Sequence, residues 1–146
     1  SIQLRRADLP RGQLRFGPDG FLYASTGDAS DRDAAQDTAS LSGKILRLTD
    51  AGAPAPDNPF DNAIWSYGHR NVQGLAIDDG GRLWASEFGQ DTFDELNRLE
   101  PGGDHASPPH RRPAGGERDV DPVLTRAPAD ASPSGLAPRR ATVSVA

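Results

Sequence analysis

A hairpin written twice at a fixed offset constrains this chain more than any other feature. Leu14 and Phe16 precede the turn Gly17-Pro18-Asp19-Gly20, and Phe21-Leu22-Tyr23-Ala24-Ser25 follows it. The same pattern returns as Leu75-Ala76-Ile77, Asp78-Asp79-Gly80-Gly81 and Arg82-Leu83-Trp84-Ala85-Ser86, so that Leu14 answers to Leu75, Gly20 to Gly81 and Ser25 to Ser86 at one offset of 61 positions. Pro18 pre-sets the backbone angle of the first turn, and Gly20 can take a positive φ that most residues resist. Short alternating runs bounded by such turns predict antiparallel strands. A further strand is expected after each hairpin, at Lys44-Ile45-Leu46-Arg47-Leu48 and at Glu95-Leu96-Asn97-Arg98-Leu99. One small sheet cannot cover both of its faces, and repeats of three or four strands at about this period are how the blades of a β-propeller are written.

Composition sets the limits of that reading. The chain has 146 residues, of which 35% are hydrophobic, below the roughly 45–50% of ordinary globular chains. Together, 16 glycines and 13 prolines imply many turns. The net charge of -5, with basic residues gathered on no one helix, excludes a phosphate-tracking surface, so no nucleic-acid partner is expected. No apolar run approaches the ~20 residues of a membrane span, and the amino terminus lacks the basic and apolar regions of a signal peptide. Without cysteine there is no disulfide, thiolate nucleophile or zinc-thiolate site. The chain has no methionine, even at position 1, which is the mark of a fragment or processed product. Residues 1–100 are therefore read as a partial propeller, and residues 101–146, where Ser107-Pro108-Pro109-His110-Arg111-Arg112-Pro113 stands, as a poorly ordered Pro/Gly/Arg-rich continuation.

Several segments resemble the glucose/sorbosone dehydrogenase family, the soluble aldose sugar dehydrogenases that use pyrroloquinoline quinone. They are Leu14-Arg15-Phe16-Gly17-Pro18-Asp19-Gly20 with Tyr23-Ala24-Ser25-Thr26-Gly27-Asp28, then Ala35-Gln36-Asp37 with Leu41 to Leu48, and Asp57-Asn58-Pro59-Phe60. Ser66-Tyr67-Gly68-His69-Arg70-Asn71-Val72-Gln73-Gly74-Leu75 is the most specific, and Glu87-Phe88-Gly89-Gln90-Asp91 to Asn97 follows it in the family's order. The resemblance implies an all-β, six-bladed propeller with the quinone over its central channel, of which a chain of this length would hold about two or three blades with open sheet edges. It also implies oxidation of an aldose sugar hydroxyl, a small-molecule sugar as substrate, and export to a secreted, periplasmic or cell-surface location.

The chemistry of individual residues agrees. The quinone carries three carboxylates and a dicarbonyl, so its site needs cationic and amide donors. Arg70 can grip a carboxylate with two bonds and Asn71 can donate to a quinone oxygen, although Arg70 could instead cap or cross-link a loop. The family also holds calcium through main-chain carbonyls on the loop resembling Gly89-Gln90, with proline in many members where Gln90 stands; as a bare sequence, Gly89 could simply make a turn. His69, alone between Gly68 and Arg70, reads as a satisfied structural residue. Asp28, Asp31, Asp33 and Asp37 lack the glycine and glutamate of a calcium-binding EF-hand loop and read as a solvated connection, while His105 and His110 read as tail residues rather than zinc ligands.

One departure weakens the enzyme reading. The family's general base is a histidine just before its Gly-Arg-Leu segment, and here Asp8-Leu9-Pro10-Arg11-Gly12-Gln13-Leu14 puts Leu9 at that position without gaps, or else a short deletion has removed it. No catalytic residue is therefore assigned. After Pro101-Gly102, the aromatic run expected of the family is replaced by Gly103-Asp104-His105-Ala106-Ser107-Pro108. Three readings stay open: an impaired sugar dehydrogenase fragment, a non-catalytic propeller segment that binds carbohydrate or a protein partner, and a decayed product without a stable fold.

Overall fold

The computed structural model describes residues 12–88, 94–106, 118–126, 136–139 and 142–145. The two hairpins form as the repeat requires. In the first, β1 (Leu14–Phe16) pairs antiparallel with β2 (Leu22–Ser25), the Gly17 N–H donates to Phe21 O at 2.8 Å, and Gly20 sits at φ +79°. The second reproduces the reversal with β5 (Val72–Ile77) and β6 (Leu83–Glu87), the Asp78 N–H donating to Arg82 O at 3.0 Å and Gly81 at φ +76°. Each turn thus relies on a glycine in the left-handed region, where a Cβ would add strain.

Both hairpins grow into a four-stranded antiparallel meander. The first sheet runs β1-β2-β3-β4, with β3 (Lys44–Leu48) and β4 (Ile64–Tyr67), and the second runs β5-β6-β7-β8, with β7 (Asp94–Leu99) and β8 (Leu124–Arg126). The fourth strands were not legible beforehand, β4 because it merges into the motif after it and β8 because it lies in the Pro-rich half. The 61-residue offset continues once more: Leu136 follows Leu75 by the same interval as Leu75 follows Leu14. It opens β9 (Leu136–Arg139), which pairs antiparallel with β10 (Thr142–Val145) and packs beside β5. A third hairpin therefore starts where the period says it should. Residues 102–106, expected to lack packed structure, are buried as well.

The core follows from side chains alternating across each strand. Tyr23 and Ile45 of the first sheet join Val72, Leu75, Leu83, Ala85 and Leu99 of the second in one buried cluster, so the two sheets are held face to face. Ala24, Leu46, Leu48, Ala63 and Ile64 occupy the other side of the first sheet with Phe60 and Tyr67. Ile45, Leu46, Ile64 and Leu75 are all but fully buried, and each side chain stabilises the fold by about 1.5–3 kcal/mol through apolar burial alone. By contrast Leu14 (61%) and Phe16 (65%) on β1 are exposed. Between β2 and β3 lies α1 (Arg32–Gln36), whose N-cap Asp31 accepts from the Ala34 N–H at 3.0 Å. This corrects the expectation of a merely solvated acidic connection: Asp31 and Asp33 are exposed, but Asp31 caps a helix and Asp28 is buried.

The rim of the first hairpin is tied by Asp19, which accepts from Tyr23 Oη at 2.9 Å and from Arg47 Nε at 3.0 Å. Tyr23 meets Trp65 edge-on, with ring centroids 5.8 Å apart, and Arg47 lies over Phe21 and Trp65. Burial, helped by the hydrogen bond to Asp19, pushes the Tyr23 phenol up to about 12. The unfolded chain releases this proton near pH 10, so the contribution is intact below that pH and is lost as pH rises towards 12. Urea midpoints measured between pH 10 and 12 are expected to fall more steeply for the native chain than for Tyr23→Phe; equal slopes would contradict this placement.

Candidate functional site

The motif that begins at Ser66 becomes a short, tightly determined connection between the last strand of the first sheet and the first strand of the second. Gly68 bends it at φ +80°, and a Cβ there would press on the Asp104 carboxylate and lie 2.6 Å from the Ala106 nitrogen. Both position and conformation demand glycine. Flanking peptides are anchored in turn: the Gly68 N–H donates to Ala35 O at 3.0 Å and the His69 N–H to Gly43 O at 3.1 Å. The Asp28 N–H donates to Arg70 O at 3.0 Å, and the Phe88 N–H to Asn71 O at 3.1 Å. Four separate segments thus hold four consecutive residues.

Directly after this connection the pairing of β5 with β6 shifts register, Val72 facing Glu87 and Gly74 facing Ser86, which leaves Gln73 as the extra residue of a β-bulge. A bulge re-aims the side chain it carries. Here Gln73 Nε2 donates to Asn71 Oδ1 at 2.6 Å, which fixes the Asn71 amide with its oxygen engaged and its NH2 as the remaining donor. The Arg70 guanidinium makes one long contact, from Nη1 to Phe88 O at 3.5 Å. It is neither buried nor fully exposed. Among the described residues, then, two consecutive positions of the connection carry a guanidinium with one long contact and an amide whose oxygen is engaged, donor types suited to carboxylates and carbonyl oxygens.

Beneath that surface lies a buried polar chain that the sequence did not announce. His69 Nδ1 is 2.7 Å from Glu87 Oε1, and His69 Nε2 is 2.7 Å from Ser66 Oγ. The carboxylate accepts the Nδ1–H, so in the neutral ring Nε2 accepts from the Ser66 hydroxyl. Glu87 Oε1 also accepts from Asn97 Nδ2 at 3.2 Å, and Oε2 accepts from the Arg70 backbone N–H at 2.9 Å. Burial would push the Glu87 carboxyl up, but His69, the Arg70 N–H and Asn97 together hold it below its ordinary value. Ser66, His69 and Asn97 are fully buried. The expectation that His69 is a satisfied structural residue holds. The linear Ser-His-Glu order resembles a hydrolytic triad, yet the hydroxyl has no exposed surface from which to reach a substrate.

His105 was expected in the tail; instead it is buried and stacks on His69 with ring centroids 4.9 Å apart and 20° between planes. Its backbone N–H donates to Tyr67 O at 2.9 Å, adding residues 103–106 to the edge of β4. Asp104 Oδ1 accepts from Gln36 Nε2 at 2.8 Å and the Ala106 N–H at 3.0 Å. Lys44, also fully buried, donates from Nζ to Ala34 O at 2.9 Å, Ala35 O at 2.8 Å and Ser42 O at 2.5 Å, so its ammonium closes the carboxyl end of α1. Burial brings this amine down to about 8.

Of the residues singled out from sequence, Arg70 and Asn71 are consecutive residues of the connection between β4 and β5. Leu9, Gly89, Gln90 and His110 lie outside the described residues, and no cluster of three metal-ligating side chains occurs among the described ones. Among the described residues, no helix is long and apolar enough to cross a membrane. Replacing Gly68 by alanine is expected to lower the unfolding free energy by about 1–3 kcal/mol, the range for forcing a Cβ into a left-handed, crowded position. Urea denaturation would show it, and an unchanged midpoint would contradict the packing described.

Comparison with known proteins sets these features in a lineage. The chain is 54% identical to the structure of the PQQ-bound form of aldose sugar dehydrogenase from Streptomyces coelicolor, with a TM-score of 0.77 over 85% of this chain and 37% of that one. It is 39% identical over 104 residues to the aldose sugar dehydrogenase YliI of Escherichia coli, covering 66% of this chain and 28% of that protein. Against quinoprotein glucose dehydrogenase B of Acinetobacter calcoaceticus it is 33% identical over 124 residues, 69% of this chain and 26% of that one. The chain therefore spans between about a quarter and two fifths of these relatives. Residues 6–121 match the family model described as Glucose / Sorbosone dehydrogenase, and with the two meander sheets and the anchored Ser66–Asn71 motif in place, the chain belongs to the glucose/sorbosone dehydrogenase family.

Proposed function

We propose that this chain is part of a sugar dehydrogenase that oxidises an aldose hydroxyl with pyrroloquinoline quinone, and that Arg70 and Asn71 help to hold the quinone. The observation that carries the reading is the donor set on the connection between the sheets. A guanidinium with one long described contact and an amide whose oxygen is already engaged match a ligand made of carboxylates and carbonyl oxygens. When bound, the quinone supplies the hydride acceptor. Arg70 would bind a carboxylate and Asn71 would donate to a ring oxygen, both on a backbone fixed before the ligand arrives. The resemblance further assigns calcium to the main-chain carbonyls of Gly89 and Gln90, immediately after Phe88, whose N–H and carbonyl meet Asn71 and Arg70.

The same reading makes the chain an incomplete catalyst. Leu9, at the family's base position in an ungapped reading, cannot accept the hydroxyl proton, and a short deletion there would remove the base as well. Exposed Leu14 and Phe16 are the side on which further sheets of a six-bladed propeller would close. Leu9 also favours a second reading, a non-catalytic propeller segment that binds carbohydrate or a protein partner. Dye-linked aldose oxidation tests this second reading, because turnover dependent on quinone and calcium removes it.

Titration of the purified chain with pyrroloquinoline quinone in the presence of calcium is expected to give saturable spectral change at micromolar quinone. Arg70→Ala should weaken it at least about tenfold, the scale of one charge-assisted bond. Chelation of calcium should weaken it too. No spectral change at micromolar cofactor, or equal affinity in Arg70→Ala, would overturn the reading.

A further inference from the structure

We infer that Glu87 is a positioning residue for the quinone-binding pair: one carboxylate oxygen holds the Arg70 peptide while the other is fixed by His69 and Asn97, so the second sheet dictates where Arg70 and Asn71 stand. The inference rests on the reading of Arg70 and Asn71 as cofactor donors and extends it to a residue that need not touch the cofactor.

The argument starts from the two ends of the Glu87 side chain. Oε2 receives the Arg70 N–H at 2.9 Å, a side-chain acceptor where the Gly68 and His69 N–H groups donate to backbone carbonyls. Oε1 receives His69 Nδ1 at 2.7 Å and Asn97 Nδ2 at 3.2 Å. Glu87 itself is buried at the end of β6, an inner strand of the second sheet, paired with Val72 on β5 and Glu95 on β7. Ser66 and His69 belong to the end of the first sheet and the connection beyond it. A single carboxylate thus ties the Arg70 backbone to both sheets. Removing it would leave the His69 Nδ1–H and the Arg70 N–H facing a buried space without this acceptor, and Asn97 Nδ2 with only Glu95 Oε2 at 3.4 Å; the donor on the functional connection is the Arg70 N–H. The Asn71 carbonyl accepts from the N–H of Phe88, the residue after Glu87, so a shift of this strand end would move both donor residues.

The test compares three variants of the chain. Hydrogen exchange of the Arg70 backbone amide, read by NMR without any quinone, reports the bond to Oε2. The dissociation constant for pyrroloquinoline quinone with calcium reports its consequence. Glu87→Ala is expected to speed Arg70 amide exchange at least about tenfold and to weaken quinone binding by a similar factor, the scale of one lost buried bond. Glu87→Gln keeps one side-chain oxygen and should restore part of both. Ser66→Ala cuts the far end of the same buried chain and should leave the Arg70 amide protected, which separates positioning from general loss of stability. An Arg70 amide that exchanges at the rate of an open loop in the native chain overturns the proposal even if Glu87→Ala fails to fold. So does equal acceleration in Ser66→Ala and Glu87→Ala, or quinone affinity retained by Glu87→Ala despite lost protection. A native chain that protects the amide and takes no quinone overturns instead the cofactor reading, so the two failures are distinct.

Discussion

The structure depends on one carboxylate buried between two sheets. Glu87 accepts from a histidine of the connection, an asparagine of its own sheet and the backbone N–H of Arg70. An unpaired buried carboxylate would cost several kcal/mol, whereas one with three donors is stable in the charged form, and its depressed pKa expresses that balance. Apolar packing brings the sheets together through Tyr23, Ile45, Leu75 and Leu83, but such packing is non-directional. The polar chain from Ser66 to Asn97 supplies the direction, setting how the end of the first sheet is aimed at the start of the second.

Around that bridge the remaining anchors share a purpose. Gly68 gives up a side chain so that Asp104 and Ala106 can approach. The Gln73 bulge turns its amide back onto Asn71. Lys44 closes α1, whose Ala35 carbonyl in turn receives the Gly68 N–H. Gly68 and the Gln73 bulge fall within two residues of Arg70 and Asn71, and Lys44 bears on the same connection through α1. Bulges, left-handed residues and buried charges gather where a chain must hold donors in one geometry before a ligand arrives.

Much of this was legible in the sequence, and the limits were physical. The two hairpins, β3 and β7 could be read because alternation and turn chemistry are local, and the family could be read from motifs in order. The fourth strands could not, since β8 lies among prolines and is joined by distant pairing with β7. The third hairpin was available in principle: extending the offset from Leu75 reaches Leu136. His105 looked like a tail residue because nothing local shows that it will stack on a histidine 36 positions earlier in the chain. Likewise, Ser66, His69, Glu87 and Asn97 are spread over three strands and a connection, and polar bridges of that kind carry no periodic signature.

The most direct measurement is a nitrogen-proton NMR titration that follows side-chain resonances as pyrroloquinoline quinone is added to the chain in the presence of calcium. The account predicts that the Asn71 amide NH2 and the Arg70 guanidinium move together and saturate together, while the His69 ring N–H, sealed against Glu87, stays where it was. Saturable shifts confined to another surface, with Arg70 and Asn71 unmoved, would contradict it.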